Sequence, residues 1–161
     1  MRISQALNDA FNEQIGRELT SSNLYLNIGA YFDDRALRKL SAFFFKQAEE
    51  ERAHALKFIG YLGDVDGKVA VPAIQATKAE YQSAEEAIHK SFDAELDITA
   101  SINRLMDVAV SDKDYAAQEF LRWFITEQVE EVRTMQDMLK VAQASGERNV
   151  LMVEAYLVHS D

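Results

Sequence analysis

Glu51-Arg52-Ala53-His54 places a carboxylate and an imidazole three residues apart, about 60° apart around a helix and one turn along it, where they can hold one ion between them. Alone the spacing is weak evidence, since Glu and His often fall three apart and Glu49-Glu50-Glu51-Arg52 reads equally as a solvated run. The position of Glu51 outweighs that. It lies on the apolar stripe of an amphipathic segment, and three other segments carry a glutamate at the matching place: Glu18, Glu95 and Glu131. A carboxylate is rarely buried unless something positive is buried with it. Four of them in one core, beside His54, describe a cage for divalent cations.

Two divalent ions would balance the four negative charges, and a low-dielectric interior strongly favours that neutrality. Glu51 is the natural bridge, with Glu18 and His54 completing one site and Glu95 and Glu131 the other. Oxygen-rich ligation with a single imidazole suits iron or manganese better than zinc or copper, with zinc a competitor. Two such ions about 3.5–4 Å apart can each give one electron to dioxygen. The expected chemistry is redox.

Counting in steps of three and four gives the elements that must position these groups. The stripes read Phe11, Ile15, Glu18, Ser22, Tyr25, Gly29, Phe32; then Phe44, Ala48, Glu51, Ala55, Phe58, Leu62; then Ile88, Ser91, Glu95, Ile98, Ile102, Leu105, Ala109; then Ala117, Leu121, Phe124, Gln128, Glu131, Met135, Met138, Ala142. Each glutamate stands where a leucine is expected, within about one turn of its segment's midpoint. Midpoints share a level whether a helix runs up or down, so the four carboxylates can meet.

Asp33-Asp34-Arg35 separates the first two helices and Ser111-Asp112-Lys113 the last two, and links this short make antiparallel neighbours. Between the second and third helices lies the stretch 63–82, with Gly67 and the only proline, Pro72. Its 20 residues can extend about 60 Å or more, enough to run back along a helix of about 42 Å. Ser83 and Glu86 then have capping-box spacing. The expected fold is all-α: a four-helix bundle with one long crossover. After Ser145-Gly146 a short fifth helix over 147–159 carries Val150, Leu151, Val153, Tyr156 and Leu157, and an oligomer contact is expected for it in preference to packing on its own bundle. The chain 1–161 is expected to form one domain, with the bundle in 1–145.

Composition narrows the partners. With 161 residues, 48% of them hydrophobic, the chain suffices for one full core and is too short to expect two. A net charge of −10 argues against nucleic acid and anionic membrane surfaces and favours cations. The absence of cysteine excludes disulfides, thiolate metal sites and cysteine nucleophiles. No apolar run approaches the roughly 20 residues of a membrane span, and the start Met1-Arg2-Ile3-Ser4-Gln5 lacks a signal peptide's apolar core. A soluble, cytoplasmic protein is expected.

Taken together, Glu18 and Tyr25, Glu-Glu-Arg-Ala-His at 50–54, Glu95, and Phe-Leu-Arg-Trp-Phe-Ile-Thr-Glu-Gln-Val-Glu-Glu at 120–131 resemble a ferritin of the bacterial non-haem type, over essentially the whole chain. The resemblance implies an iron-storage protein, with Fe2+ oxidised by O2 or H2O2 at a di-iron ferroxidase centre and ferric mineral laid down inside a hollow shell of 24 chains. It assigns Glu18, Glu51 and His54 to one iron site and Glu51, Glu95 and Glu131 to the other, with Gln128 beside the second. It also assigns Glu50, Glu127 and Glu130 to a third iron site, although by spacing alone they are ordinary surface charges. Tyr25, two turns beyond Glu18 on the same face, is either a plain core tyrosine or, as in the family, an electron donor to oxygen chemistry at the pair. Bacterioferritins, rubrerythrins and ribonucleotide reductase subunits carry a second E-x-x-H. Here Glu127 is followed three later by Glu130, and Gln128 by Glu131, so the second metal should be held less firmly. Bacterioferritin haem needs a methionine where this chain has Arg52, so haem is not expected. The small Dps-type ferritins, with ligands across a subunit interface and no fifth helix, fit poorly.

Trp123 is read as packing, and His89 and His159 as surface residues without acidic neighbours. Asp137 fits a cavity wall, an ion channel or a solvated face equally. The carboxylates of animal three-fold channels have no match around Gln118 and Leu121. Two rival classes stand beside this reading. An enzyme with a fixed metal pair would form a lone bundle or dimer. A purely structural bundle would have to tolerate four unpaired core carboxylates, at several kcal/mol each.

Overall fold

The computed structural model describes residues 3–159; the expected domain's outermost residues, 1, 2, 160 and 161, lie outside the described residues. Helices α1 (Gln5–Asp34), α2 (Arg38–Asp64), α3 (Ala84–Ser111) and α4 (Tyr115–Ser145) form the bundle, and a 3-10 turn (Glu147–Asn149) leads into the short α5 (Leu151–His159). Ser4, Ser83 and Asp114 open α1, α3 and α4 with side-chain caps on Leu7, Glu86 and Ala117, meeting otherwise orphaned backbone donors. The capping box is displaced by one residue: Glu86 Oε2 reaches back to the amide of Gln82 at 2.6 Å, not to Ser83.

The ends of α1, α2 and α3 share one device. Ala36, Asp66 and Lys113 take left-handed backbone conformations, and paired hydrogen bonds close each end, as in Leu37 N to Phe32 O and Ala36 N to Asp33 O. This is the Schellman arrangement, which stops a helix within three residues and turns the chain sharply. Gly146, at φ 68°, ends α4 in a conformation that suits glycine.

The crossover runs back along the bundle as expected; it lies against α1 and is held by two asparagines. Asn8 Oδ1 accepts from Lys68 N at 2.8 Å and Asn12 Oδ1 from Ala70 N at 2.7 Å, while both Nδ2 groups donate to Lys68 O. Pro72 sits directly on Gly16, leaving no room for a Cβ there.

Every residue of the four stripes is buried. The apolar core nevertheless falls into two clusters. One joins Tyr25, Phe32, Phe44, Ile88 and Met138, the other Phe11, Phe58, Ile102, Leu121 and Phe124. The layer between them is where Glu18, Glu51, Glu95 and Glu131 interrupt the stripes.

The expectation for the fifth helix is corrected. Val153 is fully buried in the first cluster, with Val150 and Leu157 packed against it. Glu154 Oε1 accepts from Leu40 N at 2.8 Å, serving the first turn of α2, whose own N-cap Leu37 has no capping side chain. Glu147 accepts from Ala84 N at 3.0 Å and so caps α3. Two carboxylates on two positive helix ends dock this segment on its own bundle, while Leu151, Met152 and Val158 stay exposed.

Candidate metal centre

Glu18 from α1, Glu51 and His54 from α2, Glu95 from α3 and Glu131 from α4 are all buried, Glu18 at 0% and Glu131 at 6% exposure. His54 Nδ1 lies 3.7 Å from Glu51 Oε1 and 3.9 Å from Glu18 Oε2. Each of these three residues offers an atom within 4.8 Å of the others. With the carboxylates ionised, Glu18 Oε2, both oxygens of Glu51 and His54 Nδ1 are buried without a hydrogen-bond partner among the described residues; a proton shared between Glu18 and Glu51 is what relieves them when no cation is bound. Buried polar atoms are almost always satisfied, so three residues that each bring an unpartnered atom and offer ligand atoms within 4.8 Å of one another fit a cation between them.

The second half of the layer is arranged differently. Tyr25 donates its hydroxyl hydrogen to Glu95 Oε1, and Gln128 Nε2 donates to Glu95 Oε2 at 3.1 Å while also reaching Thr99 Oγ1. Both Glu95 oxygens are thus engaged. The other group of ligand atoms within 4.8 Å joins His54 to Glu127 and Glu131, so His54 stands between the two halves. Trp123 meets the His54 ring edge-on at 5.5 Å, Phe124 does so at 5.8 Å, and Lys57 covers the outer side of Trp123. Trp123 is 41% exposed, and the face it does cover lies against a metal-ligand candidate.

Burial is the largest cause of every pKa shift in the layer. It pushes Glu18 well above the carboxylate range, with the Glu51 charge adding and the Gln14 amide opposing. Glu51 also rises strongly, from burial and then the charge of Glu95. Glu95 rises by burial against the lowering hydrogen bonds from Tyr25 and Gln128. Glu131 is pushed up to about 8 by burial and then by Glu95, Glu50, Glu127 and Glu130. Without cations the layer holds protons; cations of charge two would replace them.

Glu50, Glu127 and Glu130 line one groove of about 910 Å³ between α2, α4 and α5, together with Glu131, Gln47 and Asp137. Asp137 pairs there with Arg133 at 3.6 Å and Lys140 at 3.4 Å. His159 is exposed as read. His89 is exposed too, but contrary to expectation it has an acidic neighbour, Asp93 at 3.6 Å.

Sequence reasoning missed Gln14, whose Nε2 donates to Glu18 Oε1 at 2.8 Å, and Gln47, which donates to Glu50 Oε2 at 2.9 Å. The available signal was an amide four residues before Glu18 and another four before Glu51, each one turn along the same helix face.

The ferritin-like domain model of the ferritin family matches residues 8–144. The ferritin BfrB of Mycobacterium tuberculosis is 35% identical over 134 residues, which are 83% of this chain and 74% of that one. The bacterial non-heme ferritin of Bacteroides fragilis is 32% identical over 155 residues, 96% of this chain and 98% of that one. Among solved structures, an open-pore ferritin from the archaeon Archaeoglobus fulgidus superposes with a TM-score of 0.93 at 31% identity, covering 99% of this chain and 98% of that one. Sequence and architecture agree over nearly the full length, and the chain belongs to the ferritin family.

Proposed function

We propose that this protein stores and detoxifies iron in the cytoplasm, oxidising Fe2+ with O2 or H2O2 at a centre inside each subunit and depositing ferric oxyhydroxide within a shell of 24 copies. The observation that carries the reading is the set of orphaned buried atoms on Glu18, Glu51 and His54. Fe2+ is the substrate. Glu18 and His54 hold one ion, Glu95 and Glu131 hold the second with Gln128 beside it, and Glu51 bridges. The two ions give up one electron each, and O2 takes both with two protons to leave as H2O2. The raised pKa values of Glu18, Glu51, Glu95 and Glu131 make protons available in the pocket as iron displaces them. Glu50, Glu127 and Glu130 form a third site on the way out, and a single histidine leaves the second ion weakly held, which suits iron that must move on to the store.

The test is an anaerobic Fe2+ titration of the metal-free protein followed by mixing with O2, with ferric absorbance as the readout. A fast phase that saturates at two or three Fe2+ per chain, then slower uptake without precipitation, is expected. A fast phase without further uptake would reassign the centre as a fixed cofactor, and no fast phase would remove the redox role altogether. Electron microscopy tests the shell separately, and also shows whether its pores resemble those of the open-pore ferritin of Archaeoglobus fulgidus.

A further inference from the structure

Gln47 is 6% exposed, lies on α2 one turn before Glu51, and lines the groove shared by Glu50, Glu127, Glu130 and Glu131. Its Nε2 donates to Glu50 Oε2 at 2.9 Å. Its Oε1 is buried and has no hydrogen-bond partner among the described residues. The amide cannot be reversed to cure this, because reversal would set its carbonyl against the Glu50 carboxylate. A buried amide oxygen facing no donor is uncommon; the groove is lined by five carboxylates, Asp137 included, against Lys39, Lys46 and Arg133, and with Lys46 turned to Glu50 and Arg133 to Asp137 the excess negative charge leaves a cation as the group that answers it.

We infer that Gln47 is a ligand of the third ferrous ion, its Nε2 holding Glu50 in place and its Oε1 completing the oxygen set with Glu50, Glu127 and Glu130. The inference rests on the third-site reading above. An amide oxygen is a hard, neutral donor, suited to Fe2+. Being uncharged, it adds coordination without adding Coulomb attraction, which makes the site selective for an ion in transit and not a trap. Lys46, 3.6 Å from Glu50 Oε1, is displaced from that oxygen as the ion arrives.

Co2+, which O2 does not oxidise under these conditions, serves as the probe on the full metal-free assembly. Calorimetry counts ions per chain, and anomalous diffraction locates them. In the wild type three Co2+ ions are expected, the third within coordinating distance of Gln47 Oε1. Gln47→Leu should weaken the third ion at least tenfold while the pair near Glu51 still binds, which also reports that the fold is intact. Gln47→Glu loses the donation to Glu50 and adds a charge but keeps an oxygen at that point, so it should bind the third ion at least fivefold more tightly than Gln47→Leu. A third ion bound as tightly in Gln47→Leu as in wild type, or Gln47→Glu as weak as Gln47→Leu, overturns the role of Gln47 alone. A wild type that binds only two ions overturns the third-site reading and this inference with it.

Discussion

The Tyr25 hydroxyl donates to Glu95 Oε1, tying α1 to α3 across 70 residues of chain inside the carboxylate layer. Burial first, and the negative charges of Glu95 and Glu51 next, hold the phenol well above its ordinary value. It therefore keeps its proton and remains a donor. The partner that binds it is the carboxylate assigned to the second iron, so any electron leaving Tyr25 toward oxygen chemistry at the pair has its proton acceptor already in contact.

Tyr25→Phe should accordingly slow the fast phase of Fe2+ oxidation and abolish a transient tyrosyl signal after mixing with O2. In the metal-free state it leaves one Glu95 oxygen without a donor, at a cost of about 1–3 kcal/mol. Stopped-flow absorbance, freeze-quench EPR and denaturant unfolding measure the three effects. Unchanged oxidation kinetics with no radical in either protein would make Tyr25 a structural hydrogen bond only.

The metal-free protein should lose stability as pH rises. Glu131 goes from an ordinary value of 4.5 to about 8 on folding, so between those values the folded state holds a proton that the unfolded state has lost. Its stabilising contribution is complete below pH 4.5 and lost as pH passes through about 8, at about 1.4 kcal/mol per pH unit for one such group. Urea unfolding at pH 6 and pH 8 should show at least that fall, and Glu131→Gln should reduce the slope, the rest remaining with Glu18, Glu51 and Glu95, which burial raises too. The same protons must leave when cations enter, so anaerobic Fe2+ binding at pH 7 should acidify an unbuffered solution. Binding without proton release would mean the layer is already ionised.

Gln14→Leu should weaken the first ion by about 10–100-fold, the usual penalty for losing an outer hydrogen bond to a metal ligand. The cause is specific: Gln14 Nε2 is the donor that fixes Glu18 Oε1 and leaves Oε2 turned toward His54. Calorimetry with Zn2+ as a redox-inert stand-in reads the affinity. Equal affinity in both proteins would show that helix packing alone orients Glu18.

The 3.6-residue period made the bundle and its central layer readable, because a stripe specifies which side of a helix is buried and each glutamate sat on one. It could not say which polar neighbours hold those glutamates. Gln14, Gln47 and Thr99 acquire roles only from side-chain directions, and two glutamines on one face look alike whether they bond a carboxylate or face solvent. The docking of the fifth helix escapes a sequence reading for a related reason. It depends on Glu147 and Glu154 reaching amides 63 and 114 residues away, a pairing that no local pattern encodes.

Glu154→Ala tests that docking. Losing a cap on the first turn of α2 should lower stability by about 1 kcal/mol, and Val153→Asp should lower it by several, since it buries an unpaired charge among Leu40, Met135 and Met138. Denaturant midpoints of the dissociated subunit report both. If neither substitution moves the midpoint, α5 is held by neighbouring copies instead of its own bundle.

Glu51→Gln separates the cost of the layer from its use. Glu51 carries two orphaned oxygens, and burial, then the Glu95 charge, oppose its ionisation. The neutral isostere removes that burden, so the metal-free variant should be at least as stable as wild type at pH 8. The bridge is lost with the charge, and the fast phase of Fe2+ oxidation should fall by about 100-fold or more, the loss of a group that touches both reacting ions. Zn2+ at about 100 times its dissociation constant should stabilise wild type by about 2.7 kcal/mol and the variant, at the same concentration, by much less. A metal-free Glu51→Gln protein less stable than wild type would mean that the Glu51 charge is already compensated within the protein, and the need for cations in this layer would disappear with it.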